Sequence, residues 1–166
     1  MDKTRDTKIA VLTVSDGVTL GIREDLSGKL ALGILEAGLH PDILTGQAVP
    51  DDLKQIADTL RAWADEGYRL IVTSGGTGIS PRDNTPQATL SVIDYVVPGI
   101  AELMRSESLK KTVMAALSRA VAGVRGRTLI INLPGSPKGV EECLSAVMPI
   151  LPHAIEQLES GAGHTK

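Results

Sequence analysis

The segment 70–90 carries most of the chemistry that this chain can be expected to perform. An apolar run from Leu70 to Val72 leads into Gly75-Gly76-Thr77-Gly78, and Arg82 and Asp83 follow. Three glycines in four positions let the backbone turn tightly and approach a ligand, and successive N–H groups in such a turn form an anion site. A cation and a carboxylate beside that turn suit a phosphate and its metal ion. The segment therefore predicts a phosphate site with a place for a metal.

The two common glycine-rich phosphate motifs do not explain this turn. No Gly-Lys-Ser or Gly-Lys-Thr closes it as in a P-loop, and its glycines lack the spacing of the dinucleotide fingerprint. Alone, the string is compatible with either a tight strand-to-helix turn or a ligand cradle. The cradle is favoured because Arg82 and Asp83 are followed by Thr85-Pro86, a good N-cap and first-turn pair for a helix.

Three aspartates stand at predicted strand ends and allow two interpretations. Asp51 precedes an amphipathic helix and could be its N-cap, Asp83 could form an Asx turn, and Asp16 could close a loop. Alternatively they could hold Mg²⁺, which prefers one or two carboxylates together with phosphate oxygens and water. The cations Arg82 and Lys138 lie in the glycine-containing loops, although each is also compatible with a solvated surface charge.

The sequence offers no paired nucleophile and base. The three histidines are scattered, and Cys143 falls on the apolar side of a predicted helix, which indicates a buried thiol. An enzyme that activates a hydroxyl or thiol needs such a pair. Phosphoryl or nucleotidyl transfer to an oxygen that is already anionic needs none, since cations, N–H groups and alignment suffice.

Composition narrows the class of protein. The 166 residues suit one domain, 1–166, with flexible tails at 1–7 and 161–166. A net charge of −3 and an aromatic content of 2% argue against nucleic-acid binding. No signal peptide or membrane-length apolar stretch occurs, so we expect a cytoplasmic protein without membrane contact.

Hydrophobic periodicity predicts an α/β fold: three layers, α/β/α, with a mostly parallel mixed sheet. The predicted strands are 8–14, 43–49, 69–74, 118–124 and 128–133. The predicted helices are 26–37, 53–64, 86–94, 100–110 and 140–158, the last divided at its prolines. The strands at 118–133 flank Arg125-Gly126-Arg127 and indicate a hairpin with one antiparallel strand. Ligands of such sheets bind beyond the carboxyl ends of the strands.

Five segments resemble, in the same order, the signature blocks of one family. They are 12–16 (Leu-Thr-Val-Ser-Asp), 49–51 (Val-Pro-Asp), 73–89 (Thr-Ser-Gly-Gly-Thr-Gly-Ile-Ser-Pro-Arg-Asp-Asn-Thr-Pro-Gln-Ala-Thr), 117–123 (Leu-Ser-Arg-Ala-Val-Ala-Gly) and 131–138 (Ile-Asn-Leu-Pro-Gly-Ser-Pro-Lys). The chain thereby resembles the molybdopterin adenylyltransferases, the MogA/MoaB-like proteins of molybdenum cofactor biosynthesis, from about residue 8 to 159. Asn84 and Gln87 depart from the usual Val and Glu.

The resemblance implies a fold, a reaction and a set of residues. The fold would be the three-layer one, usually as a homotrimer, and the reaction would convert Mg-ATP and molybdopterin into adenylylated molybdopterin and pyrophosphate. Asp51 and Asp83 would be catalytic and would bind Mg²⁺. Together with the residues at the strand ends, the substrate- and nucleotide-binding set becomes Ser15, Asp16, Gly75, Gly76, Thr77, Gly78, Arg82, Ser118, Arg119, Asn132, Pro134, Gly135, Ser136 and Lys138.

Two alternatives to the adenylyltransferase interpretation stay open. One is a molybdopterin-binding carrier or regulatory module without turnover. The other is a relative of the molybdate-insertion proteins, which carry further domains around the shared fold. The insertion protein is also an expected downstream partner. The sequence does not divide the binding residues between ATP and pterin; the glycine turn is assigned to the pterin side as a working hypothesis.

Overall fold

The computed structural model describes residues 7–161 of the chain. Nearly all of the two predicted flexible tails, 1–7 and 161–166, lies outside these residues. The strands are β1 (Lys8–Val14), β2 (Ile43–Val49), β3 (Leu70–Ser74), β4 (Tyr95–Val96), β5 (Ala122–Arg125) and β6 (Thr128–Leu133). The helices are α1 (Asp16–Thr19), α2 (Leu26–Leu39), α3 (Leu53–Asp65), α4 (Thr85–Leu90), α5 (Pro98–Leu109), α6 (Pro137–Val147) and α7 (Leu151–Ser160).

The strands form one six-stranded sheet in the order β2-β1-β3-β6-β5-β4. The first four strands in this order are parallel, and β5 and β4 continue the sheet through antiparallel pairings. Thr13 pairs with Ser74, and Ser74 pairs with Leu133, so the parallel strands end level with one another. The predicted mixed sheet and its hairpin are confirmed, and four strand ends open onto one edge.

Helices cover both faces of the sheet because every central strand is apolar on both sides. The larger core cluster joins α2, α5, α6 and α7 to one face through residues such as Leu35, Met104 and Leu144. The smaller cluster joins α3 and α4 to the other face and includes Ile56 and Trp63. The predicted α/β/α layering is confirmed. Within residues 7–161 no helix is both long enough and apolar enough to cross a bilayer.

Several local predictions differ from the structure. Asp52, not Asp51, caps α3, with its carboxylate accepting a hydrogen bond from the Gln55 amide at 2.9 Å. Thr85 is the first residue of α4 rather than its cap, because its hydroxyl donates instead to the Gly75 carbonyl at 2.8 Å. Residues 118–121 are not part of a strand; they follow a 3-10 helix at Val113–Leu117 that periodicity did not reveal.

Some helix boundaries and short elements also differ from the prediction. The fourth helix ends at Leu90 rather than 94, and the very short α1 and β4 were not predicted. The C-terminal helix is divided as predicted: α6 gives way to a 3-10 turn at Met148–Ile150 that contains Pro149, and α7 starts at Leu151.

Candidate active site

The polar residues predicted to share one edge of the sheet do so. Ser15 follows β1, Pro50 and Asp51 follow β2, the glycine turn follows β3, and Pro134 follows β6. The backbone ties these ends together: the Ser15 amide donates to the Val49 carbonyl at 2.9 Å, and the Gly75 amide donates to the Leu133 carbonyl at 3.2 Å. The strand ends therefore form a continuous wall.

Asp16 and Asp51 brace one another across the ends of β1 and β2. The Asp16 amide donates to Oδ2 of Asp51 at 3.1 Å, and the Asp51 amide donates to Oδ1 of Asp16 at 3.0 Å. The guanidinium of Arg82 also donates to Oδ2 of Asp16. Oδ1 of Asp51 accepts no hydrogen bond from residues 7–161 and lies beside the glycine turn, 3.4 Å from where a β-carbon on Gly76 would stand. Because Asp52 caps the helix, this oxygen is available to a ligand.

The turn after β3 requires glycine at its first two positions. Gly75 and Gly76 have φ angles of 99° and 67°, which L side chains rarely adopt. A β-carbon on Gly75 would lie 2.4 Å from the Val14 carbonyl oxygen, and one on Gly76 would lie 2.4 Å from Oγ1 of Thr85. The N–H groups from Gly76 to Gly78 donate to no acceptor in the described part of the chain. They remain free to bind an anion.

Arg119 holds the loop that carries Asp83. Its Nε donates to the Gly78 carbonyl and one Nη donates to the Asp83 carbonyl, both at 2.7 Å. Its own amide donates to the Thr77 carbonyl at 2.8 Å. Arg119 was predicted as a binding residue, and the structure commits two of its guanidinium nitrogens and its backbone amide to this loop.

Asp83 resembles Asp51 in using only one carboxylate oxygen locally. Its Oδ2 accepts a hydrogen bond from the Ser80 amide at 3.1 Å, three residues earlier in the chain. This is not the Asx turn that the sequence allowed, because the Thr85 amide, two residues after Asp83, donates to the Gly76 carbonyl instead. Oδ1 of Asp83 accepts no hydrogen bond within residues 7–161. Of the two residues that depart from the family motif, Asn84 makes no side-chain capping bond and Gln87 is exposed.

Two neighbouring cavities open at this edge. The first, here the glycine-loop cavity, has a volume of about 490 Å³. Its wall includes the residues Ser15, Asp25, Asp51, Gly75, Gly76, Gly135 and Ser136. The second, here the methionine cavity, has a volume of about 290 Å³ and lies between α5, α6 and the 3-10 helix. Its wall includes Met104, Met114, Ser118, Ala120, Asn132, Pro134, Ser136, Lys138, Glu142 and Cys143. Ser136 belongs to both walls, so the cavities adjoin.

Three of the predicted binding residues give their polar atoms to the protein. The Asn132 amide donates to Oγ1 of Thr73 at 3.0 Å and to Oγ1 of Thr89 at 2.9 Å, and its oxygen accepts from the Val121 amide. The carbonyls of Pro134 and Gly135 accept from Ser74 and Ser27, at 3.0 and 2.6 Å.

The serine hydroxyls of the set also have local partners. Oγ of Ser15 accepts from the Val18 amide at 3.2 Å, and Oγ of Ser118 accepts from the Ala120 amide at 3.3 Å. Oγ of Ser136 caps α6 by accepting from the Gly139 amide at 3.1 Å. Each hydroxyl can still donate its own proton to a ligand.

The carboxylates do not form a preassembled metal cluster. Within residues 7–161 no three His, Cys, Asp or Glu side chains are placed to bind one ion. Asp16 uses both oxygens for Asp51 and Arg82, while Asp51 and Asp83 each keep one open oxygen. This donor set fits Mg²⁺ only when phosphate oxygens and water complete its shell, which is the usual condition for that ion.

Residues missed from the sequence lie mainly on the methionine cavity. Arg105 donates to the carbonyls of Ser118 and Ala120, at 3.3 and 2.9 Å, and so shapes the cavity wall. Cys143 is buried there as predicted, and burial raises the pKa of its thiol. Helical periodicity predicted burial for Cys143 but not for Glu142, and nothing in the sequence showed that both side chains would border a cavity.

Most of the chain, including the strand ends that form this site, matches a known protein family. The family described as "Probable molybdopterin binding domain" matches residues 10–153. The chain belongs to this family. A "Molybdopterin adenylyltransferase" of Helicobacter pylori is 46% identical over 151 residues, which cover 89% of this chain and 85% of that protein. The resemblance to MogA/MoaB-like proteins is confirmed, and so is the prediction of an enzyme of the nucleotidyltransferase class.

Two further relatives place the chain among proteins of molybdenum cofactor biosynthesis. The structure of "the Molybdopterin biosynthesis enzyme MoaB" from Thermus thermophilus superposes with a TM-score of 0.85 at 52% identity, covering 92% of this chain and 96% of that one. A "Molybdenum cofactor biosynthesis bifunctional protein" of Chlorobaculum tepidum is 37% identical over 158 residues. That match covers 95% of this chain but 50% of the bifunctional protein.

Proposed function

We propose that this member of the family catalyses the Mg-ATP-dependent adenylylation of molybdopterin, giving adenylyl-molybdopterin and pyrophosphate. The observation that carries the proposal is the pair of adjoining cavities. One lies against the glycine turn and Asp51, the other is lined by Met104 and Met114, and both include Ser136. A reaction that joins two phosphate-bearing molecules needs two such compartments with a common boundary.

The chemistry of each wall assigns the ligands. The methionine cavity suits the flat heterocycle of the pterin, because thioether and alanine side chains pack on such a ring. The glycine-loop cavity suits phosphates that carry Mg²⁺, since the free N–H group of Gly76 and the Arg23 guanidinium on its wall favour negative charge, and the ion would offset the carboxylates of the same wall. The glycine turn would then hold phosphates where the two substrates meet, rather than the pterin ring itself.

The terminal phosphate oxygen of molybdopterin would attack the α-phosphorus of ATP. A new P–O bond forms, the bond between the α-phosphorus and the bridging oxygen of pyrophosphate breaks, and pyrophosphate leaves with that electron pair. The nucleophile is already an anion, so no base is needed. What the site must supply is alignment and compensation of negative charge.

Named residues would supply both. The open oxygens of Asp51 and Asp83 would hold Mg²⁺, which when bound neutralises charge on the triphosphate and its leaving group. Arg82 is exposed and donates to Asp16, beside the carboxylate of Asp51, and from there it would contact phosphate oxygens that extend beyond the glycine-loop cavity. Arg119 would act through the loop, as a positioning residue for Asp83.

One assay tests the proposal. The protein is incubated with molybdopterin and Mg-ATP in the absence of molybdate, and adenylylated pterin and pyrophosphate are measured. Stoichiometric formation of both supports adenylyl transfer. Pterin binding without pyrophosphate release would refute it in favour of a carrier or regulatory module.

The neighbouring aspartates provide matched variants. Asp51→Asn should reduce kcat by more than a hundredfold, because it removes a charge that the chemical step requires. Asp52→Asn makes the same change one residue away, where asparagine caps a helix about as well as aspartate, and should leave kcat unchanged. Asp83→Asn should lose turnover while keeping the folded circular-dichroism spectrum. Equal activity of the first two variants would refute the assigned role of Asp51.

We also propose a functional link to molybdate insertion. This protein matches half of the bifunctional relative from Chlorobaculum tepidum, and the other half of that relative is available for a second activity in cofactor biosynthesis. Pull-down of a molybdate-insertion protein from the same organism, in the presence and absence of adenylylated pterin, tests whether the product promotes that contact.

A further inference from the structure

Glu142 is the one carboxylate in the described chain that is buried without a hydrogen bond. Its side chain is 10% exposed, and its Oε1 lies out of contact with water and without a hydrogen-bond partner among residues 7–161. The Lys111 ammonium lies 3.4 Å from that oxygen, close enough to compensate charge but not placed as a hydrogen-bond donor. A carboxylate can accept about four hydrogen bonds, so this one has unused capacity.

A buried polar group without a partner is costly and is rare in folded proteins. It therefore indicates an interaction that is completed by something absent from the free chain. Glu142 lies on the wall of the methionine cavity, which Cys143, Met104 and Met114 also line. Most of the accessible surface of this wall is apolar, and Glu142 is the one carboxylate among the residues that line it.

We infer that Glu142 selects the heterocycle of the pterin substrate by accepting hydrogen bonds from its N–H donor edge. This inference rests on the proposed function and deepens it. The 2-amino-4-oxopyrimidine ring of a pterin presents an amino group and a ring N–H side by side, and a carboxylate can accept from both at once. The six-membered ring edge of adenine presents one amino donor beside an acceptor nitrogen, which would face a carboxylate oxygen unfavourably.

The other charged groups near the cavity agree with this orientation. One guanidinium nitrogen of Arg105 donates to the carbonyls of Ser118 and Ala120, which anchors this side chain to the cavity wall. Lys138 lines the same cavity, at the start of α6 beside Ser136. A ring held by Glu142 at one end would thus direct its phosphate-bearing arm toward Ser136 and the glycine-loop cavity.

Two small probes separate donor-edge recognition from general ring binding. 6-Hydroxymethylpterin carries the 2-amino group, whereas 6-hydroxymethyllumazine has a carbonyl oxygen in its place and a hydrogen on N1, with the same second ring and side chain. Fluorescence titration of the wild-type protein should show the pterin binding at least about tenfold more tightly, because the lumazine turns an acceptor toward Glu142. Equal affinity for the two probes would overturn the inference.

The variant Glu142→Gln gives the second arm. It should weaken 6-hydroxymethylpterin binding by about tenfold to a hundredfold, as expected for loss of a hydrogen bond to a charged group, and reduce the preference over lumazine to within about threefold. Glu141→Gln removes the same charge from the exposed neighbouring residue and should change neither affinity. Affinity for Mg-ATP should be unchanged in both variants.

Thermal unfolding distinguishes a binding role from a structural one. Glu142→Gln removes a buried charge, so its midpoint should be no lower than that of the wild type. A lower midpoint with unchanged pterin affinity would show that the carboxylate serves the fold through Lys111 and would overturn the inference. If the wild type adenylylates molybdopterin and Glu142→Gln binds both probes as the wild type does, only the role of Glu142 fails. If the wild type forms no adenylylated product, the proposed function fails.

Discussion

Replacing Arg119 by lysine should release the Asp83 loop without unfolding the protein. The guanidinium donates to two carbonyls, those of Gly78 and Asp83, both at 2.7 Å. A lysine ammonium is a single point of charge and cannot span both acceptors as the planar fork does. The Thr77 carbonyl keeps its bond to the backbone amide of residue 119, because that bond does not depend on the side chain. The loop should therefore open locally.

The expected size of the effect follows from one lost bond. A hydrogen bond that involves a charged group contributes about 1.5–3 kcal/mol, and the lower value applies at this half-buried position. About 1.4 kcal/mol is a factor of ten in an equilibrium. If Asp83 must be held in place for turnover, kcat should fall by about tenfold, while the unfolding midpoint falls by only a few degrees.

Amide hydrogen exchange and steady-state kinetics together test this account. Arg119→Lys should exchange faster at the amides of residues 77–83, with unchanged exchange in β3 and β6, and should show lower kcat with little change in the KM for ATP. Arg127→Lys makes the same substitution in the β5–β6 turn, at the opposite edge of the sheet, and should alter neither quantity.

Two results would refute the reasoning. Wild-type exchange and wild-type kcat in Arg119→Lys would mean that the two carbonyl contacts do not hold the loop. A lower kcat with unchanged exchange would mean that Arg119 acts on the substrate directly, as the sequence first indicated. In that case guanidinium ions added to Arg119→Ala should restore turnover without restoring loop protection.

Three further predictions concern the turn, the helix cap and the thiol. Gly76→Ala should destabilise the fold by more than the roughly 1–2 kcal/mol of a left-handed backbone conformation, because its β-carbon would also meet Thr85. Gly126→Ala, with φ of 57° and no atom within 4 Å of its β-carbon, carries the backbone cost alone. Equal losses of stability in urea unfolding would contradict the predicted clash with Thr85. Asp52→Ala should cost about 1 kcal/mol in the same experiment through loss of the α3 cap, with kcat unchanged; a loss of kcat would contradict the separation of its role from that of Asp51. Because burial raises the pKa of the Cys143 thiol, its alkylation by iodoacetamide should be slow at pH 8, rise as pH increases, and slow further when 6-hydroxymethylpterin fills the methionine cavity; protection by ATP but not by the pterin would contradict the ligand assignment.

The sequence predicted the sheet well because its signals are local. Runs such as Lys8–Val14 and Leu70–Ser74 are continuous, apolar and rich in branched residues, and they end at glycine, proline or aspartate. The same locality explains the errors. By residue type, two adjacent aspartates are equally good helix caps. Only the packed structure shows that Asp52 caps α3 while the carboxylate of Asp51 accepts a hydrogen bond from the Asp16 amide. The two-residue β4 and the single-turn helix α1 carry too little periodicity to be recognised.

The methionine cavity could not be predicted from the local periodicity of the sequence. It forms where α5, the 3-10 helix and α6 pack together, and the β5–β6 hairpin separates α6 from the other two elements along the chain. In the sequence Glu142 is one of two adjacent glutamates on an amphipathic helix, and both resemble solvated surface charges. Burial alone distinguishes them, and burial depends on tertiary packing that sequence periodicity does not report.

The two predicted catalytic aspartates share a design that explains how carboxylates can stand beside phosphates. Each anchors one oxygen to a backbone amide, Asp51 to that of Asp16 and Asp83 to that of Ser80, and leaves the other oxygen open. The anchored oxygen fixes the side-chain rotamer, so little conformational entropy is lost when the open oxygen takes a ligand. Without a cation between them, an open carboxylate and a phosphate would repel. Under the proposed function, Mg²⁺ between them would make phosphate binding depend on the ion, and the dependence of ATP affinity on Mg²⁺ should weaken in Asp51→Asn, where Asp83 alone offers an open oxygen.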